Sequence, residues 1–255
     1  AGKTLVGIRL SYDRGTRELA IPRAMRRPGN ETEMVHPEIT SVFLSGNGPL
    51  VEVLQNALGT NSKNFVQPVR SYVKHHFGER GKNRIPYHHV LIFDEAQRAW
   101  DREKVERGHK GELEGSEPEL FIDMADRVPG WSVVVGLIGT GQEIHDGEES
   151  GVAQWMSAVA SSQNPDNWSV HAPPTIAKSL EGGSIPVFSD SLLSLNTTLR
   201  SHFAEELHEW VDGVIGSKEI PKDELSSMSD ALKNEGFRMY WTDNLSRAKS
   251  YVMKR

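Results

Sequence analysis

Two adjacent acids, Asp94 and Glu95, end the apolar run Val90-Leu91-Ile92-Phe93 and open the segment Ala96-Gln97-Arg98-Ala99. Carboxylates at the end of a buried strand are costly unless cations meet them. Parallel α/β sheets bind their ligands at the carboxyl ends of strands. The pair therefore suits a magnesium–nucleotide complex. Asp94 would hold Mg2+, usually through water, and Glu95 would polarise the water that attacks a phosphate. A surface turn that merely begins with two acids is the plainer reading, and the residues that follow the pair weigh against it.

Gly2-Lys3-Thr4 is the second candidate. It matches the end of the phosphate loop G-x-x-x-x-G-K-[ST], in which Gly lets the backbone approach, Lys reaches the β- and γ-phosphates and Thr binds the metal. A lone G-K-T is weak, but the acid pair follows it some ninety residues later, in the usual order. The chain is expected to begin inside that loop, with the first strand missing. A third cluster, Gly139-Thr140-Gly141-Gln142-Glu143, follows the run Trp131–Ile138; the Gln142 amide could sense a γ-phosphate or position water. A Gly-rich loop with incidental polar residues explains it as well. The fourth is Leu199-Arg200-Ser201, where Arg200 could meet charge developing on a γ-phosphate. A polar helix cap is the bland alternative.

These residues need strand ends to carry them. Ile39–Leu44 and Trp131–Ile138 read as buried strands beside Val90–Phe93. Helices are predicted over 5–10, 50–58, 65–77, 120–128, 152–159, 201–215, 224–233 and 245–253, and a capping box is read at Ser116-Glu117-Pro118-Glu119. Residues 11–38 read as a long loop or insertion, 101–115 as a charged, mobile excursion, and 161–190 as irregular with short strand-like pieces at 168–171 and 185–188. Residues 192–199 look extended, and 237–241 read as a strand. The alternation predicts an α/β fold, a RecA-like parallel sheet with helices on both faces. The expected division is a P-loop core over 1–200 and the incomplete start of a second α/β lobe over 201–255.

The 255 residues are 37% hydrophobic and 25% charged, with a net charge of −6 and no cysteine. Disulfides and cysteine-based zinc sites are excluded. No apolar run reaches the length of a membrane span and no signal peptide is visible, so a cytoplasmic setting is the default. The acidic balance confines any nucleic-acid groove to local basic patches, such as Arg9–Arg27 or Lys74–Arg84, which read more simply as solvated surface. The pairs His75-His76 and His88-His89 read as packing or surface residues, since neighbours on a strand point to opposite faces. Trp131, Trp155 and Trp210 read as core. Ser157, Ser161 and Ser162 lack the G-x-S-x-G setting of a hydrolase nucleophile.

Taken together, AGKTLVG at 1–7, VFLSGNGPLV at 42–51, VLIFDEAQR at 90–98, GTGQEIHDGEESG at 139–151 and LRSH at 199–202 resemble the bacterial Schlafen group 3-like DNA/RNA helicase domain family. The order of motifs resembles that of superfamily 1 helicases more broadly. Thr242-Asp243-Asn244-Leu245 with Ala248-Lys249 is similar to a later segment of the same family, without its Arg. The resemblance covers most of the chain. It implies ATP and Mg2+ as cofactors, with Gly2, Lys3 and Thr4 on the nucleotide, and Thr4 and Asp94 on the metal. It gives Glu95 the attacking water, Gln142 the coupling of nucleotide state to the partner face, and Arg200 a γ-phosphate contact. Gln97 and Arg98 would support that coupling, and Ser45, Gly46 and Asn47 would touch a nucleic-acid backbone. The family continues beyond residue 255, so this piece alone is expected to bind nucleotide poorly and to be inactive in hydrolysis.

The leading expectation is an ATPase coupled to single-stranded DNA or RNA, a helicase or translocase. The alternatives are a P-loop ATPase that switches conformation within a defence or repair assembly of protein partners, and a degenerate nucleotide-binding scaffold.

Overall fold

The structure, a computed structural model, describes residues 2–12, 40–77, 84–110, 112–139, 151–180, 182–194, 205–216, 219–238, 240 and 242–254, with the backbone alone at 23–26, 32–35 and 205. Residues Gly2–Asn196 form one compact unit and Thr197–Arg255 another.

The first unit opens with helix α1 (Lys3–Tyr12). Strands β1 (Arg23–Arg26) and β2 (Thr32–Val35) then pair antiparallel. They lie within the stretch expected to be a long loop or insertion. Next come β3 (Ser41–Ser45), α2 (Gly48–Leu58), β4 (Val66–Pro68), α3 (Val69–Phe77) and β5 (Val90–Asp94). Then follow α4 (Arg102–Gly108), α5 (Glu117–Asp126), β6 (Val133–Leu137) and α6 (Ala153–Ala160). A small parallel pair closes the unit, β7 (Val170–Ala172) and β8 (Val187–Ser189), joined through α7 (Pro174–Leu180).

Four strands form one parallel sheet in the order β4-β3-β5-β6. Strand alternation divides its side chains between two cores. Val42, Leu44, Leu91 and Phe93 face α3 and α5, where Phe93 stacks on Phe121 at 5.0 Å. Phe43, Val90, Ile92 and Leu137 face the other way, against Val51 of α2 and Ile8 of α1. Helices thus cover both faces, as the α/β reading requires. The chain leaves β3 through α2 on one face and leaves β5 toward α5 on the other. The carboxyl ends of β3 and β5 therefore flank the point where the winding changes direction, the place such sheets bind ligands.

Two expectations are corrected. The helix predicted over 65–77 begins only at Val69, because Phe43, Leu44 and Ser45 pair with Val66, Gln67 and Pro68 in β4. The charged stretch 101–115 contains α4, capped by Asp101, whose side chain accepts from the Lys104 N–H at 2.8 Å; Val105 and Leu113 are buried in the core. The capping box forms with both halves in place: Ser116 Oγ accepts from Glu119 N, and Glu119 Oε2 accepts from Ser116 N. The most apolar strand of the sequence, β6, is not the most buried. Among the described residues it pairs only with β5, and Val133 is 44% exposed.

The second unit contains α8 (Glu205–Val214), α9 (Lys222–Asn234) and α10 (Leu245–Met253). Trp210 Nε1 donates to Leu225 O at 3.0 Å and ties α8 to α9. Phe237, Arg238 and Tyr240 lie outside any strand, contrary to the expectation for 237–241. Among the described residues no helix is long and apolar enough to cross a membrane.

Candidate functional site

The site is assembled by the approach of α1 to the carboxyl end of β5. Gly2 has φ 90°, a conformation that glycine adopts readily, and its carbonyl accepts from Val6 N at 2.9 Å, so the helix starts immediately after it. The first amides of a helix lack intrahelical partners and favour anions. Lys3 and Thr4 sit on that first turn. The Thr4 hydroxyl donates to Asp94, at 3.4 Å from Oδ1 and 3.5 Å from Oδ2. Residues ninety positions apart thus meet where a helix begins and a strand ends.

A close approach makes this meeting possible. Alpha-1 turns its small residues Gly7 and Ser11 to the sheet and leaves Leu5 and Leu10 exposed. A Cβ at Gly7 would lie 2.6 Å from Leu137 Cδ1 and 2.8 Å from Phe43 Cε2. Gly7→Ala is therefore expected to lift α1 and with it Thr4. It should cost about 1–3 kcal/mol, the usual range for overpacking, read as a lower urea midpoint. An unchanged midpoint would show that α1 is not seated on Phe43 and Leu137.

Asp94 is buried, and its carboxyl is pushed up to about 6, first by that burial and then by the charge of Glu95. The Thr4 hydroxyl, the Lys3 ammonium and the Glu95 backbone N–H oppose the shift. A buried carboxylate beside a second one favours added positive charge. The donors at hand, a hydroxyl and a carboxylate, are the hard oxygen ligands that Mg2+ takes. Among the described residues no cluster of three or more His, Cys, Asp or Glu is placed to hold a metal. A hydroxyl and a carboxylate of this kind could hold such an ion together with phosphate and water.

Glu95 leaves the strand with φ 56° and ψ 48°, a left-handed conformation for a residue that carries a side chain. Its carboxylate accepts from Gln97 Nε2 at 2.6 Å. The turn from Ala96 to Arg98 is gripped from several directions. Trp155 Nε1 donates to Ala96 O at 2.8 Å, and Gln154 Nε2 donates to Ala99 O at 2.9 Å. Trp100 N donates to the buried Glu117 carboxylate at 2.9 Å, and Glu117 N returns a bond to Trp100 O at 2.8 Å. The expectation gave Trp155 a place in the core. It packs there against Phe93 and Phe121, and its indole N–H also holds the acid-bearing turn. Gln154 and Glu117 carried no sequence signal, because their partners are backbone groups brought near only by the fold.

Ser45 is the register partner of Asp94 and lies buried beside it at the end of β3. Its Oγ accepts from Asn47 N at 3.2 Å, while Asn47 caps α2 by accepting from Leu50 N at 3.2 Å. Gly46 lies exposed between them. Gln142 and Arg200 lie outside the described residues.

The whole chain, residues 1–255, matches the model of a family described as Schlafen group 3, DNA/RNA helicase domain. The chain belongs to this family. No curated protein and no solved structure matches it. Within this family member, the histidine pairs lie toward the other end of β5. His88 hydrogen-bonds Tyr72 at 3.0 Å, His89 bonds Trp131 O at 2.8 Å, and burial holds His76 down to about 4. They serve packing.

Proposed function

We propose that the protein hydrolyses ATP in a manner coupled to single-stranded DNA or RNA, and that this chain carries the phosphate and acid residues of the reaction. The observation that supports this most is the meeting of Thr4, on the first turn of α1, with Asp94 at the end of β5. Gly2, Lys3 and the free amides of α1 would cradle the β- and γ-phosphates, and Thr4 and Asp94 would hold the Mg2+ that neutralises phosphate charge. Glu95 would accept a proton from the water whose oxygen bonds to the γ-phosphorus as the bond to the ADP oxygen breaks. Gln142 and Arg200 are proposed for coupling and for the γ-phosphate, and Ser45, Gly46 and Asn47 for a nucleic-acid backbone.

A second reading, an ATPase that switches conformation without unwinding, draws support from the net charge of −6. Phosphate release by the full-length protein with and without single-stranded DNA or RNA separates the two. Stimulation of roughly tenfold or more is expected, the scale of a coupling of 1–3 kcal/mol. Equal rates with every nucleic acid would remove the helicase reading and leave the switch. A cytoplasmic setting belongs to the same proposal.

A further inference from the structure

Gln97 is almost fully buried and makes two bonds of opposite polarity. Its Nε2 donates to Glu95 Oε2 at 2.6 Å, and its Oε1 accepts from Gly139 N at 2.9 Å. The partners fix which way the amide points, because a carboxylate only accepts and a backbone N–H only donates. Gly139 lies two residues past the end of β6, 42 residues further along the chain. One side chain thus spans from the end of β6 to the carboxylate at the end of β5.

We infer that Gln97 is the positioning residue for Glu95, which holds the carboxylate at its reactive angle and ties it to the end of β6. The inference rests on the proposed ATPase reading for its kinetic consequence. Glu95 sits in a left-handed turn, where a residue with a side chain gains nothing from its own backbone preference. Its carboxylate takes the Gln97 amide as a hydrogen-bond donor across that turn. Gln97 is bonded within the turn on one side and outside it on the other, so any displacement at Gly139 is delivered to Glu95. The amide offers both a donor and an acceptor at fixed charge, whereas ionised Glu keeps the acceptor alone and Met keeps neither.

Two variants of the full-length protein separate the arms. Gln97→Glu preserves an acceptor for the Gly139 N–H and loses the donor to Glu95; Gln97→Met loses both. In each, kcat is expected to fall about 10- to 100-fold with KM for ATP held within about twofold, since a misplaced group costs the transition state and not ground-state binding. Hydrogen exchange at the Gly139 amide should accelerate in Gln97→Met and stay protected in Gln97→Glu. A merely structural role would lower Tm in both variants and leave kcat per folded molecule near wild type. Wild-type kcat in either variant, or unchanged Gly139 exchange in Gln97→Met, overturns the inference. If the wild-type protein turns over no ATP, the functional reading falls, and the Gly139 exchange arm still decides whether Gln97 forms the tie.

Discussion

Replacing Asp94 with Asn is expected to stabilise the metal-free protein at neutral pH while removing its Mg2+-dependent ATP turnover. The direction follows from the carboxyl, which burial and Glu95 push up from 3.8 to about 6 in the folded chain. A raised folded value means that the folded state holds the proton more tightly than the unfolded one. The stabilising contribution is then present at low pH and is lost as pH rises from 3.8 through about 6. At neutral pH the charged group weighs against the fold, and the neutral amide lifts that weight. A gain of a few degrees in Tm is expected, closing as pH falls below the window. Mg2+ with ATP should reverse the order, because a ligand bound by the native state alone stabilises the wild type by mass action and finds no carboxylate in Asp94→Asn. Thermal melts of both proteins across pH, with and without Mg2+ and ATP, check this. A wild type more stable than the variant at neutral pH without metal would contradict it.

Glu95→Gln is expected to leave the fold and nucleotide binding in place and to lower turnover roughly 10²- to 10⁴-fold, the usual contribution of a positioned general base. Gln keeps the length of the side chain and an oxygen that can accept from Gln97 Nε2, so the tethered turn survives. It also occupies the same left-handed backbone, so the cost of about 1–3 kcal/mol that such a conformation carries is common to both proteins. The Thr4–Asp94 bond is kept, and Asp94 loses the neighbouring charge that helps push its carboxyl up. What is lost is the capacity to take a proton from water. Equilibrium binding of ATP measured beside turnover separates this outcome from a general collapse of the site.

The sheet and the acid pair were legible because strong local signals coincide there. Val90–Phe93 is apolar throughout, and two acids stop it; the capping box Ser116-x-x-Glu119 formed as spelled. Beta-4 escaped because three residues ending in Pro68 show no periodicity and take their identity from β3. Alpha-4 was hidden by its charges, for only Val105 in Arg102–Gly108 is buried. The helix over 5–10 was legible as a helix, but its seat was not: beside Ile8 the small residues Gly7 and Ser11 are the buried ones, because sheet and helix approach closely there. Gln97 was visible as part of a motif, but its partner Gly139 stands at the end of a different strand, and no spacing rule links the two.

Steady-state phosphate release by the full-length wild-type protein and its Glu95→Gln variant, with Mg2+ and single-stranded nucleic acid present and ATP binding measured on the same samples, tests the assigned chemistry most directly. The expected result is turnover in the wild type, a loss of two or more orders of magnitude in the variant, and ATP binding in both. Turnover retained in Glu95→Gln, or ATP bound by neither protein, would contradict it.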